Sequence, residues 1–178
     1  MLTLLFGYIL IATLFFVEVR YESSRTTTAL QTAADDRGTT RLLILTSLAA
    51  FLSPLWILLD IGSAPEWIGF IGLAWIVGGI VLLRWTTSVN PFYLRAMATT
   101  DDHYICTDGP YKVVRHPGYV AFLLAWFGFG LATANWMALL TVAILSLYAY
   151  VRRIQAEEQM MLDRFGVDYQ QYVGETFR

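Results

Sequence analysis

The stretch "GPYKVVRHPGYV", Gly109 to Val120, sets Lys112, Arg115, His116 and two prolines directly ahead of an apolar run. A helix that only anchors a chain has no use for such a start. Pro117 is suited to the first turn of a helix, where a missing amide hydrogen costs nothing. The stretch therefore reads as a polar collar at one end of an apolar helix. The rest of the chain says what surrounds that collar.

Apolar runs of sixteen to eighteen residues recur at Leu2–Val17, Leu42–Leu59, Trp67–Leu83, Gly118–Thr133 and Trp136–Val151. A membrane-spanning helix needs ~17–25 predominantly apolar residues. Overall 57% of the 178 residues are apolar and 15% charged, against about 25% charged in soluble domains. These features predict an all-α integral membrane protein, one domain over residues 1–178, with five transmembrane helices. Their expected limits are about 2–17, 42–59, 67–83, 118–133 and 136–158, the last running beyond its apolar part. The first run lacks a basic flank and a small-residue cleavage pattern, so it reads as a retained helix rather than a signal peptide.

With five spans, all twelve Lys and Arg residues fall on one side. The positive-inside rule makes that side the cytoplasm, with the N-terminus outside and the C-terminus inside. The net charge is −2 and no basic run suggests nucleic acid. Cys106 is the one cysteine, so no internal disulfide forms. Two His and one Cys without ligand spacing give no metal site.

Much of the remaining pattern is bundle architecture. Trp56, Trp67, Trp85 and Trp136 lie near helix ends, as an aromatic belt requires. Gly69, Gly72, Gly78 and Gly79 give the third helix a small-residue face for close packing in lipid. Pro54 should kink the second helix. Two regions go beyond anchoring. The connection from Arg84 to His116 is long and carries Trp85, Phe92, Tyr93, Tyr104 and Tyr111, too aromatic for a disordered linker. The tail "RRIQAEEQMMLDRFG" continues the helical pattern past the membrane, with Gly166 as its C-cap.

These regions meet. If Trp136 marks the outer interface, Glu157 lies roughly 31 Å further along the helix, about one hydrocarbon thickness. The antiparallel fourth helix begins at that same inner surface with His116 and Pro117. Arg115 and His116 thus stand beside Arg153, Glu157 and Glu158, with the aromatic loop leading in. Such a place suits a ligand with hydroxyls and positive charge. Carboxylates accept from ribose hydroxyls, aromatic faces such as Tyr111 and Tyr119 favour a sulfonium, and Arg153 can hold a carboxylate in a bidentate pair. No Rossmann or Walker glycine motif is present, and no Ser or Cys nucleophile has an adjacent base.

The run "HYICTDGPYKVVRHPGY", His103 to Tyr119, followed two helices later by "RxxxEExxxLxxFGxxYxxY", Arg153 to Tyr172, resembles the isoprenylcysteine carboxyl methyltransferases. The related phospholipid N-methyltransferases share a similar pattern. The resemblance covers about Trp85 to Tyr172 and assigns the catalytic region to about 85–178. It implies S-adenosyl-L-methionine bound on the cytoplasmic side and a lipidic or prenylated acceptor arriving from the bilayer. Position by position, it implies cofactor binding by His103, Tyr111, Arg115, His116, Pro117, Tyr119, Glu157 and Glu158. Arg153 and Glu157 fall at its catalytic positions, and Arg153, Tyr169 and Tyr172 at its acceptor side. Ala121 departs from the pattern, standing where the family often has Gly, and would narrow the backbone approach to the cofactor.

The implied function is carboxyl methylation of an isoprenylcysteine-like substrate. Methyl transfer to an ionised carboxylate asks for alignment and exclusion of water rather than a general base. Phospholipid amines and small thiols remain compatible acceptors, an amine needing a base such as Glu158 or His116. Sterol-type reductases carry a similar "RHPxY" region but use NADPH. A membrane protein that keeps only the scaffold is the third class.

Overall fold

The computed structural model describes residues 1–23, 31–32, 36–93, 98–99 and 104–177. Helix α1 covers Leu2–Ser23, α2 Thr39–Leu52, α3 Glu66–Val89, α4 Pro117–Ala132, α5 Trp136–Phe165 and α6 Val167–Glu175. Two-residue strands, β1 (Gln31–Thr32) and β2 (Ala98–Thr99), pair antiparallel and tie the α1–α2 connection to the α3–α4 connection. Four spans are long and apolar enough to cross a membrane: Leu2–Tyr21, Thr39–Leu59, Glu66–Val89 and Trp136–Phe165. Helix α4 is equally apolar but has 16 residues, about 24 Å at 1.5 Å per residue.

The helices outrun their apolar segments. Hydropathy marks only the part of a helix that faces hydrocarbon, whereas backbone hydrogen bonding carries α1 and α3 on through polar residues to Ser23 and Val89. At Ser53 α2 tightens into a 3₁₀ turn, Ser53–Leu59, with Pro54 in its first positions. The prolyl nitrogen cannot donate to the preceding turn, and the expected irregularity at Pro54 takes this form. The turn ends at Asp60 in the left-handed region (φ 55°).

Helix α4 runs through the middle of the bundle. Trp126 and Phe129 are almost wholly buried, together with Ile11 and Leu14 of α1, Ile76 and Leu83 of α3, and Val142 of α5. Phe51 meets the Trp126 ring edge-on at 5.3 Å. Glycines let α3 and α4 approach backbone to backbone. A Cβ on Gly72 would lie 2.5 Å from the Ala132 amide nitrogen, and one on Gly128 2.6 Å from the Gly72 carbonyl. Gly79 packs in the same way on the carbonyl of Ala121. On the small-residue face of α3, Gly72, Gly78 and Gly79 thus meet α4 while Gly69 packs on Thr3 of α1, and Ala121 is buried in the α4 contact.

The α4–α5 turn is knitted to the α2–α3 connection. Asn135 Oδ1 accepts from the Ala138 amide at 3.0 Å and caps α5, while its Nδ2 donates to the Ile61 carbonyl at 2.8 Å. The 30 residues of α5 extend about 45 Å, further than the ~30 Å of hydrocarbon. Gly166 closes α5 with φ 54°, its amide donating to the Leu162 carbonyl at 2.9 Å. Helix α6 then folds back.

Candidate active site

Three segments from distant parts of the chain converge at the start of α4. Pro117 opens that helix and is fully buried, which holds His116 and Arg115 just outside the first turn. The distal half of α5 supplies Arg153, Glu157 and Glu158 at helical spacing. Helix α6 closes over them with Tyr169 and Tyr172, both buried.

The polar contacts form a chain. The Arg115 Nε donates to Glu158 Oε1 at 3.0 Å, and its Nη1 donates to the carbonyls of Val173 (3.2 Å) and Thr176 (2.8 Å). The Tyr119 hydroxyl donates to Glu157 Oε2 at 2.5 Å and accepts from Arg153 Nε at 3.2 Å. Arg153 is 2% exposed; its Nη1 donates to the hydroxyls of Thr39 (2.9 Å) and Thr40 (3.2 Å) and lies 3.9 Å from Asp36 Oδ2. His116 stacks on the Tyr119 ring at 5.7 Å. Its buried Nε2 lies 3.4 Å from Glu158 Oε1, yet makes no hydrogen bond among the described residues.

The rim is tied down by the end of the chain. Phe177 pairs in parallel with Val114: the Arg115 amide donates to the Phe177 carbonyl at 2.8 Å, and the Phe177 amide to the Val113 carbonyl at 2.9 Å. The Tyr172 hydroxyl donates to the Tyr111 carbonyl at 2.8 Å, and Asn90 Nδ2 donates to the Tyr111 hydroxyl at 2.9 Å. Burial pushes the Tyr172 phenol up to about 12 and raises Tyr111 and Tyr169 as well. All three stay neutral hydroxyls at physiological pH.

These groups line a cavity of about 670 Å³, within the ~300–1,000 Å³ common for small-molecule sites. One end is polar, with Arg115, His116, Tyr119, Arg153, Glu157, Tyr111 and Asn90. The other is apolar, with Phe15 of α1, Leu43, Ile44, Leu48 and Phe51 of α2, and Phe122 of α4. The cavity thus joins a charged collar to hydrocarbon-like walls.

The structure brings most of the expected residues to this cavity. Tyr111, Arg115, His116, Tyr119, Arg153, Glu157, Tyr169 and Tyr172 line it directly. Pro117 and Glu158 stand behind the wall, the first setting the helix start and the second holding Arg115. His103 lies outside the described residues. Ala121, expected to narrow a cofactor approach, is not among the lining residues and faces α3 instead. Sequence reasoning missed Glu18, Asn90, Asp36, Thr39 and Thr40. Glu18 carried a signal, as a carboxylate continuous with an apolar helix; the others are ordinary polar residues until the fold brings them in.

Fold and cavity together define a multi-pass membrane protein with an amphiphilic site at one end of its bundle. A family model described as the isoprenylcysteine carboxyl methyltransferase (ICMT) family matches residues 69–163, over half of the chain, and the chain belongs to that family. It is 32% identical over 115 residues to the protein-S-isoprenylcysteine O-methyltransferase of Tribolium castaneum, covering 61% of this chain and 41% of that one. The Schizosaccharomyces pombe protein of the same name is 32% identical over 80 residues, 45% of this chain and 34% of that one. Methanethiol S-methyltransferase 1 of Bradyrhizobium diazoefficiens is 30% identical over 104 residues, 53% of this chain and 35% of that one. This chain therefore spans well under half the length of these relatives in the matched regions. The solved structure of the eukaryotic intramembrane Ras methyltransferase ICMT, without a monobody, superposes with a TM-score of 0.57 at 24% identity, over 81% of this chain and 52% of that chain. That likeness is one of fold.

Proposed function

We propose that this chain is an S-adenosyl-L-methionine-dependent membrane methyltransferase that methylates the carboxylate of an isoprenylcysteine-like acceptor. The observation that carries the reading is the two-ended cavity, charged beside α4 and α5 and apolar between α1, α2 and α4. Family membership supports the use of a methyl donor.

The polar end fits an adenosyl amino-acid sulfonium. Its buried His116 Nε2 has no hydrogen-bond partner among the described residues, Glu157 offers carboxylate oxygens, and the aromatic walls suit a cation. When bound, S-adenosyl-L-methionine supplies an electrophilic methyl group to an acceptor already ionised at neutral pH, so no proton need be removed. Glu157, Tyr111, His116 and Tyr119 would hold it, with Arg115, Pro117 and Glu158 fixing their positions. Arg153 would orient the acceptor carboxylate, and the Tyr119 hydroxyl links Arg153 to Glu157. Tyr169 and Tyr172 would exclude water from above. Alignment of this kind is worth roughly 7–11 kcal/mol in favourable cases. The same reading makes α4 a fifth span and sets the N-terminus outside with the site in the cytoplasm.

A small-thiol acceptor is the second reading, favoured by the similarity to the methanethiol S-methyltransferase of Bradyrhizobium diazoefficiens. Calorimetry with S-adenosylhomocysteine and NADPH, then radiolabelled methyl transfer to N-acetyl-S-farnesylcysteine and to methanethiol, tests both. Saturable S-adenosylhomocysteine binding that is lost in Glu157→Ala is expected, with transfer to the prenylated acid. Transfer to the thiol alone would select the second reading. NADPH binding in place of S-adenosylhomocysteine would overturn both and point to a reductase.

A further inference from the structure

Asn90 closes the end of α3 and lines the cavity together with Tyr111. Its backbone is held on both sides. The amide donates to the Thr86 carbonyl at 3.2 Å, and the carbonyl accepts from the Tyr21 hydroxyl at 3.2 Å. In the side chain, Oδ1 accepts from the Phe92 amide at 2.9 Å. A backbone amide can only donate, so this contact fixes which end of the side-chain amide is oxygen. The Nδ2 group therefore faces the Tyr111 hydroxyl, to which it donates at 2.9 Å. An Asn side chain bound to the amide two residues on is an ordinary turn feature. The second arm, which reaches twenty-one residues along the chain to Tyr111, is not needed for a turn.

That second arm decides what Tyr111 can offer. Its oxygen accepts from Asn90, and no acceptor among the described residues takes its proton. Burial keeps the phenol protonated. The residue is also held through its backbone, since the Tyr172 hydroxyl donates to its carbonyl at 2.8 Å. A fixed donor thus stands in the cavity wall with its proton free. The stretch that carries Asn90 and Tyr111 also lends the cavity Phe92, Tyr93, Ile105 and Cys106, and no charged residue among those described. An uncharged, largely aromatic wall with one donor suits a heterocyclic base, whose faces stack and whose ring nitrogens accept. A carboxylate is served better by a guanidinium.

We infer that Asn90 is a positioning residue, which makes the Tyr111 hydroxyl a donor to a ring nitrogen of the adenine base. The inference rests on the S-adenosyl-L-methionine reading. Asn90 acts through Tyr111 and makes no contact with the cofactor itself.

The test is a double-mutant cycle, read by calorimetry of S-adenosylhomocysteine on the detergent-purified full chain. Asn90→Asp keeps the shape and the bond from the Phe92 amide, but sets an acceptor where a donor faced Tyr111. The phenol then gives its proton to that carboxylate and none to the base. Affinity should fall by about three- to ten-fold. Tyr111→Phe removes the hydroxyl and should weaken binding by a similar factor. In the Tyr111→Phe background, Asn90→Asp should change affinity by less than about two-fold, whereas an Asn90 that served only the fold would act alike in both backgrounds. Decarboxylated S-adenosylhomocysteine, which keeps the base, should show the same losses. If the melting temperature shows that Asn90→Asp has not folded, Asn90→Ala completes the cycle. It leaves the hydroxyl free to rotate, and should weaken binding by about three-fold in the wild-type background only. Additive losses, or unchanged affinity in Tyr111→Phe, would overturn the assignment of Asn90. Losses that vanish with the decarboxylated ligand would overturn the base as its target. Wild-type protein that binds no S-adenosylhomocysteine would overturn the cofactor reading and this inference with it.

Discussion

Tyr119 joins the two halves of the site with one oxygen. Its hydroxyl donates to Glu157 and accepts from Arg153, so the carboxylate proposed for the cofactor and the guanidinium proposed for the acceptor hold each other through it. Tyr119→Phe keeps the ring that stacks on His116 and removes only that link. Loss of a hydrogen bond to charged groups costs about 1.5–3 kcal/mol, so methyl transfer should fall by roughly ten- to a hundred-fold. S-adenosylhomocysteine affinity should weaken less than kcat, which single-turnover kinetics alongside calorimetry would separate. Undiminished turnover would mean that Arg153 and Glu157 are positioned independently. At this scale, the sequence pattern exposed the residues that sit in one motif or one helical turn: Arg115, His116, Arg153, Glu157. It could not expose Thr39 or Thr40, because a polar residue near a helix end looks the same whether it meets water or Arg153. Only the packing of α2 against α5 distinguishes the two.

Among the elements, the start of α2 matters most to the site, because it carries the two threonines that hold Arg153. Asp36 secures it. Its Oδ1 accepts from the Gly38 amide at 2.9 Å and its Oδ2 from the Thr40 amide at 3.0 Å. The Thr40 hydroxyl and these amides hold the Asp36 carboxyl below its ordinary value of 3.8. A carboxyl lowered on folding stabilises the folded state above its unfolded value and loses that contribution as pH falls through its folded value. The melting temperature of Asp36→Ala should therefore lie below wild type at neutral pH, by an amount matching a cap of about 1 kcal/mol. That gap should hold down to about pH 5 and close below about pH 4. A gap unchanged at acid pH would assign the loss to packing rather than to the cap. Elements were legible where they were long and apolar, and Gly166 was legible as a stop because it follows a helical stripe. Helix α6 was not: nine residues of mixed polarity become helical by packing their tyrosines onto the site.

For the whole molecule, the contact between α3 and α4 decides whether a site exists at all, since α4 begins at the polar collar and runs through the core. Gly72→Leu would drive a branched side chain into the backbone of α4. Such a substitution should abolish S-adenosylhomocysteine binding and broaden the size-exclusion peak in detergent, although residue 72 lies outside the cavity. Retained binding would mean that α4 can shift as a unit without moving its N-terminal end. The glycine face was visible in the sequence as a packing surface; its partner was not, because no pattern in α4 other than Gly128 announces which neighbour comes that close.

That contact has a consequence for motion. Where two backbones touch, no rotamer change can loosen them, so α3 and α4 can part only by opening together. Their amides between Gly72 and Gly79, and between Ala121 and Gly128, should be the last in the protein to take up deuterium. The slow block would serve as an internal clock, against which faster uptake in α2 or α6 dates the movements that admit a ligand.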